Sequence, residues 1–302
     1  MVQVGLAIPT AAPDAQPNTA VEFARRAEAS GAHSVWAMDR LVFDNFEPLM
    51  TLAAVAATTT RVRLGTSILL ATLRPPAMVA KMIATLDSMS GGRVTMGFGV
   101  GSRPDDFAGA EVPYEHRGSR MDELVHILRT AWSGDAVQHQ GKFYNIDVGP
   151  VGPKPAQPHI PIWFGGSADS ALRRIVRIGD GFIGSSTSGP EGFKANWEKL
   201  RQFAEAAGRD PAELHPACLI YACVDDNRSA AEEKAIGYRQ HYYGGRRPID
   251  VTGSMLGSAD ECVQTAQGYI DAGVETLIIG STTADLRSFD RLCEQVVPRL
   301  IR

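Results

Sequence analysis

The sequence predicts an α/β protein with the fold of a (β/α)8 TIM barrel, a closed cylinder of parallel strands surrounded by helices. Short apolar, β-branched segments alternate with helix-like segments along the whole chain, which is typical of parallel strands covered by helices. The chain holds eight such units in 302 residues, a length that one barrel with insertions in its loops fills. No Gly/Ser-rich or charged run divides the chain. A doubly wound open sheet would show the same alternation, but eight units favour closure, so we expect a single domain over residues 1–302.

The first half of the chain contains four of these strand–helix units. Each strand is short and rich in apolar or β-branched residues. Gly31 and Gly91 mark helix ends, and Pro75 and Pro76 suit a first helical turn. Ser119, three residues before an acidic residue, predicts a capping box. The predicted strands are residues 2–9, 34–38, 62–70 and 93–101, and the predicted helices are residues 21–30, 47–59, 75–89 and 119–132.

The second half repeats the alternation, with strands at 161–164, 181–185, 214–224 and 276–279 and helices at 167–178, 191–207, 229–238, 258–272 and 285–300. Three connections are longer than usual, and long loops in compact domains are commonly functional: 102–118, 137–159 and 241–257. The second has alternating apolar residues around Gly141 and predicts a small hairpin. The third contains Tyr242 and Tyr243 and is interpreted either as a lid over the site or as a surface loop.

Composition excludes two classes of partner as the default. The chain carries 30 Lys and Arg against 34 Asp and Glu, a formal charge of −4, whereas proteins that coat nucleic acid or bind anionic membranes need a positive surface. No apolar run approaches the roughly 20 residues of a membrane span. The first fifteen residues lack the basic and apolar pattern of a secretory signal, and the four cysteines suit a reducing compartment. We expect a cytoplasmic protein that acts on a small organic molecule.

Candidate site residues lie where the strands end, because functional groups of such barrels collect at the carboxyl end of the cylinder. In strand four, Gly97, Gly99 and Gly101 alternate and therefore share one face. Their missing side chains either leave a shelf for a flat ring or allow close packing inside the barrel. The spacing differs from the dinucleotide-binding G-x-G-x-x-G because the third glycine comes one residue early.

Two further strand ends carry polar groups. Gly165, Gly166 and Ser167 stand between a strand and a helix, so their N–H groups either bind a phosphate or form an ordinary turn that Ser167 caps. Asp39 ends strand two and either accepts from ring N–H groups of a cofactor or forms a surface ion pair or loop cap. The residues alone therefore indicate an enzyme that uses a planar, phosphate-bearing cofactor.

A cluster of charged residues near position 120 is interpreted as structural. It comprises Arg117, Arg120, Asp122 and Glu123, which surround the start of a predicted helix. The seven histidines show no metal-ligand spacing, so no metal is expected.

Several longer segments resemble the luciferase-like monooxygenase superfamily. Their order along the chain makes the resemblance specific, and it covers essentially the whole chain. The segments are 35–39 (VWAMD), 64–68 (LGTSI), 74–76 (RPP), 87–101 (DSMSGGRVTMGFGVG), 117–123 (RGSRMDE), 161–167 (PIWFGGS) and 179–182 (GDGF). The resemblance implies a (β/α)8 barrel that binds FMN or the deazaflavin coenzyme F420 at its carboxyl end.

The resemblance also implies roles for individual residues. It implies a non-proline cis peptide bond between Ser67 and Ile68, whose bulge supports one face of the cofactor ring. The cofactor-binding residues that it implies are Thr66, Ser67 and Ile68 behind the ring, Val100, Gly101 and Ser102 beside the ribityl chain, and Gly165, Gly166 and Ser167 around the phosphate. Asp39 would meet the polar edge of the ring and is the one catalytic candidate.

The chain departs from the sugar-phosphate dehydrogenases of this superfamily. They carry His where this chain has Arg40, some carry an acidic residue where it has Ser102, and they carry a lysine where it has Thr187 and Ser188. A phosphorylated sugar is therefore not expected as the substrate.

Three functions stay open at this point. The first is an F420-dependent oxidoreductase, the second an FMN-dependent monooxygenase that uses reduced flavin and O2, and the third a non-catalytic protein that binds a flavin or deazaflavin. The resemblance further implies a homodimer formed through the helices next to strands two and three.

Overall fold

Parallel strands close into a barrel in the computed structural model of the chain, which describes residues 2–16, 18–244 and 249–301. The predicted fold class is confirmed. The strands, in chain order, are β1 (Gln3–Ala7), β2 (Ser34–Ala37), β3 (Arg63–Thr66), β4 (Val94–Phe98), β5 (Ala136–Gln140), β6 (Asn145–Pro150), β7 (Ile162–Gly165), β8 (Gly181–Ser185), β9 (His215–Val224), β10 (Met255–Gly257) and β11 (Thr276–Ser281).

The barrel runs β1-β2-β3-β4-β7-β8-β9-β11 and closes because β11 pairs with β1. Every pair of neighbours is parallel; Leu6 of β1, for example, lies opposite Val35 on one side and Ile279 on the other. Strands β5 and β6 form a separate antiparallel hairpin, as predicted around Gly141. The carboxyl ends of β2, β3, β4, β7 and β8 are consequently neighbours along one arc of the rim.

Helices cover the outside of the barrel. Among the described residues, no helix is long and apolar enough to cross a membrane. The helices are α1 (Thr19–Ala29), α2 (Pro48–Ala56), α3 (Pro76–Ser90), α4 (Pro104–Gly109), α5 (Arg117–Ser133), α6 (Asp169–Ile178), α7 (Gly189–Ala206), α8 (Arg228–Tyr243), α9 (Ala259–Asp271), α10 (Leu286–Arg291) and α11 (Val297–Leu300), the last two joined by a π-helical turn over Leu292–Val296.

The long connections contain more regular structure than the sequence predicts. The connection at 102–118 contains α4, and part of 241–257 belongs to α8 and to β10, which pairs with the end of β9. Residues 245–248 of that predicted lid lie outside the described residues. The capping box predicted at Ser119 is wrong, because α5 begins at Arg117; Ser258 and Glu261 form a capping box at α9 instead.

Two tryptophans fill the barrel interior toward its amino end. Trp36 and Trp163 stack with ring centroids 5.5 Å apart. Glycines make room for them: a Cβ on Gly5 or on Gly65 would lie 2.4 Å from the Trp36 side chain, and one on Gly181 would lie 2.6 Å from Trp163. The indole pair separates the carboxyl end of the barrel from its amino end.

Candidate active site

The residues predicted for cofactor binding come together at the carboxyl end of the barrel. They follow β2, β3, β4 and β7, which are consecutive neighbours in the sheet. The side chain of Ile68 joins three of these strand ends, because its Cδ1 atom lies beside the Cα positions of Gly99 and Gly165. Residues about a hundred positions apart in sequence therefore meet around one side chain.

The end of β3 has the backbone form that the resemblance implies. The peptide bond between Ser67 and Ile68 is cis. Beyond it the chain rejoins β4, since the Leu69 amide donates to the Gly97 carbonyl at 2.7 Å and the Gly99 amide donates to the Leu69 carbonyl at 3.0 Å. The buried Thr66 hydroxyl also donates to the Gly97 carbonyl, at 2.7 Å. The bulge is thus held on β4 by three hydrogen bonds.

The glycines of strand four accommodate protein atoms, so the interpretation as an open shelf is wrong for them. A Cβ on Gly97 would lie 2.0 Å from the Thr66 carbonyl oxygen, and one on Gly99 would lie 1.7 Å from Ile68 Cδ1. Gly101 has φ of +75° and its Cβ position is 2.8 Å from the Phe107 ring. These glycines let the β3 bulge and α4 pack closely, and the half-buried Ile68 side chain then forms the surface that faces outward.

Asp39 is buried in an ion pair beside the bulge. Its Oδ2 accepts from the Leu70 amide at 2.9 Å and from Arg74 Nη1 at 2.8 Å, and its Oδ1 accepts from Arg74 Nη2 at 3.2 Å. Its side chain is 1% exposed, whereas that of Arg74 is 18% exposed and also pairs with Glu47 at 2.9 Å. An ion pair is present, with Arg74 as its partner, but it is buried and not at the surface as the sequence interpretation had it.

Arg40 also forms a buried ion pair. Its Nε donates to Asp106 Oδ2 at 2.8 Å, and the other Asp106 oxygen accepts from the amides of Leu41 and Val42. The pair fastens the segment after β2 to α4. Arg40 Nη1 is buried with no hydrogen-bond partner in the described part of the chain, so one donor at this position remains to be satisfied.

The turn after β7 presents backbone donors. Helix α6 begins at Asp169, and its N-cap is Ala168, which has no side chain that can cap; the predicted cap at Ser167 is wrong. The amides of Ser167 and Ala168 donate to no residue that the structure describes. Gly166 has φ of +127°, which favours glycine. The arrangement leaves N–H groups and a helix N-terminus at the rim, which is suited to an anion.

A second helix starts next to this turn. Gly165 lies opposite Ile183 of β8, and β8 leads through Ser186 into α7, which begins at Gly189. The Ser186 hydroxyl is buried and has no hydrogen-bond partner among the described residues. A buried hydroxyl in this state is satisfied at low cost by a ligand oxygen. The sequence analysis did not single out Ser186, since a lone serine after a strand carries no distinctive pattern.

Arg117 takes a position that sequence reasoning missed. The charged cluster is structural for Asp122, which pairs with Arg174 at 2.7 Å, and for Glu123, which pairs with His139 at 3.2 Å. Arg117 instead donates from Nε to the Gly101 carbonyl at 2.9 Å and stacks on the Tyr114 ring at 4.1 Å. No carboxylate of the described chain lies within ion-pair distance of it. A half-buried cation therefore stands beside the end of strand four.

Tyrosines pack on the opposite side of the rim. Tyr221 at the end of β9 hydrogen-bonds Tyr243 with the two hydroxyl oxygens 3.0 Å apart. Burial raises the pKa of Tyr221 well above its ordinary value, and that of Tyr242 as well, so both stay uncharged at neutral pH. Leu219 packs both against this tyrosine cluster and against the group that contains Ile68. The mouth is therefore aromatic and apolar on this side.

Comparison with known proteins identifies the family. Residues 2–287 match the family described as luciferase-like monooxygenase. The chain belongs to the luciferase-like monooxygenase family. It is an oxidoreductase of the luciferase-like class, and the resemblance inferred from its motifs is confirmed.

Individual relatives of this luciferase-like chain are named for different activities. The F420-dependent glucose-6-phosphate dehydrogenase of Kineococcus radiotolerans is 30% identical over 320 residues, covering 94% of this chain and 93% of the relative. The monooxygenase RslO1 from Streptomyces bottropensis has a TM-score of 0.85 at 21% identity, covering 99% of both chains. An F420-dependent secondary alcohol dehydrogenase, solved with an F420-acetone adduct, has a TM-score of 0.83 at 23% identity, covering 98% of both chains. At such identities the two solved structures show the common fold alone.

Proposed function

We propose that this chain is a coenzyme F420-dependent oxidoreductase that transfers a hydride between C5 of the deazaflavin and an organic substrate. The observation that carries the proposal is the 30% identity, over 94% of the chain, with a relative named as F420-dependent. Bound to the protein, the deazaflavin supplies a ring carbon that accepts and donates hydride, and the protein supplies its position and surroundings.

The residues at the rim fit a flat ring with an anionic tail. The outward face of Ile68 gives an apolar support for the ring, and the buried Ser67 hydroxyl beside it has no partner among the residues described. At the other end, the amides of Ser167 and Ala168 and the α6 N-terminus fit a phosphate. Val100, Gly101 and Ser102 follow β4, whose end lies between those of β3 and β7. In this proposal all nine residues from Thr66 to Ser167 given by the resemblance hold the cofactor.

Arg117 extends this set toward a long anionic tail. Its guanidinium lies at Gly101, has no carboxylate partner among the described residues, and is half buried, where a cation pairs with an anion more strongly than at an open surface. We therefore assign Arg117 to the charged part of the cofactor beyond the ribityl chain.

Asp39 acts in this proposal by positioning. By accepting from the Leu70 amide it fixes the segment that follows Ile68, and Arg74 holds its carboxylate in place. A carboxylate that already accepts three hydrogen bonds has limited capacity left for a ring N–H group or for a proton. The support for the ring is thus rigid because a buried ion pair stands behind it.

The substrate side is aromatic. The tyrosine cluster and Leu219 face the same mouth as Ile68, exclude water there, and offer the Tyr221 and Tyr243 hydroxyls as the polar groups. Thr187, at the position where sugar-phosphate dehydrogenases carry lysine, is exposed and within 3.1 Å of the Ser185 hydroxyl. We infer an uncharged organic substrate rather than a phosphate ester.

Binding measurements test the proposal. Purified protein is titrated with coenzyme F420, with FMN and with reduced FMN, and quenching of fluorescence is followed. Saturable binding of F420 together with weak binding of both flavins is the expected result. Saturable binding of reduced FMN followed by O2 uptake would replace it with the second candidate, an FMN-dependent monooxygenase, which the family description favours. Cofactor binding without turnover of any alcohol or ketone supplied would indicate a non-catalytic member.

We further propose that the protein works in the cytoplasm as a homodimer and as one domain over residues 1–302. Helices α2 and α3 pack against each other and expose methionines: Met50 is 72%, Met78 52% and Met89 60% exposed. Exposed apolar side chains on two adjacent helices suit an interface between copies. Sedimentation measurements on M50K and M78K variants test this, with a shift to monomer expected and an unchanged mass contradicting it.

A further inference from the structure

A cavity of about 490 Å³ opens at the amino end of the barrel, opposite the candidate active site. Its volume lies within the range of about 300–1,000 Å³ that small-molecule sites occupy. Trp36 and Trp163 separate it from the carboxyl end. Residues at the amino end of such barrels usually contribute to stability, a role that favours paired charges and close packing. The cavity departs from this pattern, because its wall is not closely packed and one of its charges is unpaired among the described residues.

One cation in the wall is without an anion. Arg63 at the start of β3 donates from Nη2 to the Val94 carbonyl at 2.9 Å and to Gln157 Oε1 at 3.1 Å, and from Nε to the Thr95 hydroxyl at 3.2 Å. Its Nη1 donates to nothing in the described ranges 2–16, 18–244 and 249–301. No carboxylate of these residues lies within ion-pair distance, and the nearest buried one, Asp87, is separated from it by Gln157.

The other ionisable groups of the wall do not neutralise Arg63. Asp180 is already paired, with Arg129 at 2.6 Å and with His159 at 3.0 Å. Glu275, which is not part of the wall, is 65% exposed and lies 3.4 Å from His215. Because a half-buried charge is costly without a counter-ion, the wall favours the entry of an anion.

Two histidines of the wall are uncharged at neutral pH. Burial lowers the pKa of His215 to about 4, and burial also lowers the pKa of His33, whose Nδ1 is buried without a partner among the described residues. With these two histidines uncharged and Asp180 paired with Arg129, Arg63 is the cation of the wall that no anion of the described chain pairs with, and a single cation matches one carboxylate better than a phosphate dianion. His33 Nδ1 adds an unsatisfied polar atom at the same end of the barrel.

Aromatic rings in mutual contact line one wall of the cavity. Trp163 stacks on Trp36, with ring centroids 5.5 Å apart, and on His215, with centroids 4.6 Å apart and an interplanar angle of 12°, so the stack offers mainly ring edges to a ligand. Planar ligand rings pack on such surfaces with offset-stacked or edge contacts. An aliphatic chain would leave this wall less well covered.

We propose that the amino end of the barrel is a second ligand site, which binds an aromatic monocarboxylate with its carboxylate on Arg63 and its ring against the Trp163–His215 wall. The free Nη1 group of Arg63 can donate to a carboxylate oxygen, and its positive charge matches the carboxylate. The site is separate from the cofactor site and does not depend on the proposed redox function.

The test uses the full-length protein and benzoate as the probe. Tryptophan fluorescence is followed while benzoate, acetate or benzyl alcohol is added, with and without saturating F420. A saturable change with benzoate is expected, unaltered by F420, whereas acetate lacks the ring and benzyl alcohol lacks the charge, so each should bind at least tenfold more weakly. Equal responses to benzoate and benzyl alcohol, or loss of the benzoate response when F420 is present, would overturn the proposal.

Variants and a heavy-atom probe place the site. R63M should weaken benzoate binding at least tenfold, while R61M, two residues away at an exposed arginine, should leave it unchanged. Because Arg63 also bonds Val94 and Gln157, circular dichroism must show that R63M is folded. If it is not, crystals of the unaltered protein with 4-bromobenzoate decide: the anomalous bromine peak belongs beside Trp163, and a peak at the carboxyl end or none at all rejects the site.

Discussion

Ile68 and Gly99 fit together so closely that no side chain can stand between them: a Cβ on Gly99 would lie 1.7 Å from Ile68 Cδ1. The same isoleucine side chain lies 3.4 Å from the Cβ position of Gly165. Gly99, just after β4, therefore fixes the direction of the Ile68 side chain. In the proposed function that side chain supports the cofactor ring, so the shape of the site depends on a residue that touches no cofactor atom.

Two alanine substitutions in β4 should separate cofactor binding from folding. G99A displaces the flexible end of Ile68, so the protein should stay folded with a loss of about 1–3 kcal/mol, typical of overpacking, and bind F420 at least tenfold more weakly. G97A meets the Thr66 carbonyl at 2.0 Å, where the backbone must move, and should lower stability more than G99A does. Urea unfolding and F420 titration measure both effects. Full F420 affinity in G99A would show that Ile68 does not support the ring.

A charge at the start of α6 should change stability and binding in opposite directions. Ala168 is the N-cap, in extended conformation with no side-chain cap, so A168D supplies the missing acceptor and should stabilise the protein by about 1 kcal/mol. The same carboxylate places a negative charge beside the amides proposed for the phosphate and should abolish F420 binding by repulsion. Thermal unfolding and titration check the two effects, and A168S, which caps without charge, is the control. Unchanged affinity in A168D would remove the phosphate from this turn.

Substitution of Arg117 should weaken the cofactor's anionic end. R117Q keeps hydrogen-bonding ability but removes the charge beside Gly101, so F420 affinity should fall about tenfold and depend less on salt. R177Q, an exposed arginine that pairs with Asp122, serves as the control and should bind F420 normally. Titrations at low and high salt distinguish the two variants. Equal behaviour of R117Q and R177Q would leave Arg117 with a structural role.

The buried ion pair behind the bulge should be more important for stability than for affinity. R74M leaves the Asp39 carboxylate, 1% exposed, without its cation and should destabilise the fold by about 3 kcal/mol. E47Q removes the negative charge of the exposed partner of Arg74 but keeps an oxygen for the Met50 amide that Glu47 caps at the start of α2, so it should cost about 1 kcal/mol or less. Urea denaturation of both variants provides the comparison. A small loss in R74M would mean that the Leu70 amide alone satisfies Asp39.

The barrel could be predicted because the same alternation of apolar strand and helix recurs in all eight units. Short elements and individual side-chain contacts leave no such repeated pattern in the sequence. Strand β10 was missed since three residues, 255–257, give no alternation to recognise. Helix α4 was missed for a similar reason, being six residues long. The ends of β3, β4 and β7 were found through motifs, and the geometry then decided between the two interpretations of Gly97, Gly99 and Gly101 in favour of close packing.

Partner choice among charged residues was the least predictable feature. Asp39 has Arg40 as its sequence neighbour, yet it pairs with Arg74, because Arg40 turns away to Asp106. Arg117 was grouped with Asp122 by proximity in sequence, yet its Nε reaches Gly101. Such choices depend on where the rim brings distant strand ends together, which one sequence does not specify.

Acid should destabilise the protein partly through His215 at the amino end of the barrel. Burial lowers its pKa in the folded state to about 4, below the ordinary 6.5 that it has when unfolded. As pH falls from about 6.5 toward 4, the unfolded chain binds the proton first, so the free energy of unfolding decreases across that window. The buried His33, whose pKa is also lowered, acts in the same direction.

A variant isolates the histidine from the carboxylates. Glu28 and Glu123 have lowered pKa values and lose their contributions only below about 4.5, so the interval from 6.5 to 4.5 reports mainly on histidines. H215Q keeps a donor for the Thr276 hydroxyl, which lies 2.8 Å from His215 Nε2, and should make the pH dependence shallower in that interval. Urea unfolding at half-unit pH steps measures the slope. An identical slope in H215Q would mean that His215 takes up its proton equally well in the folded protein, with Glu275 as the counter-ion at 3.4 Å.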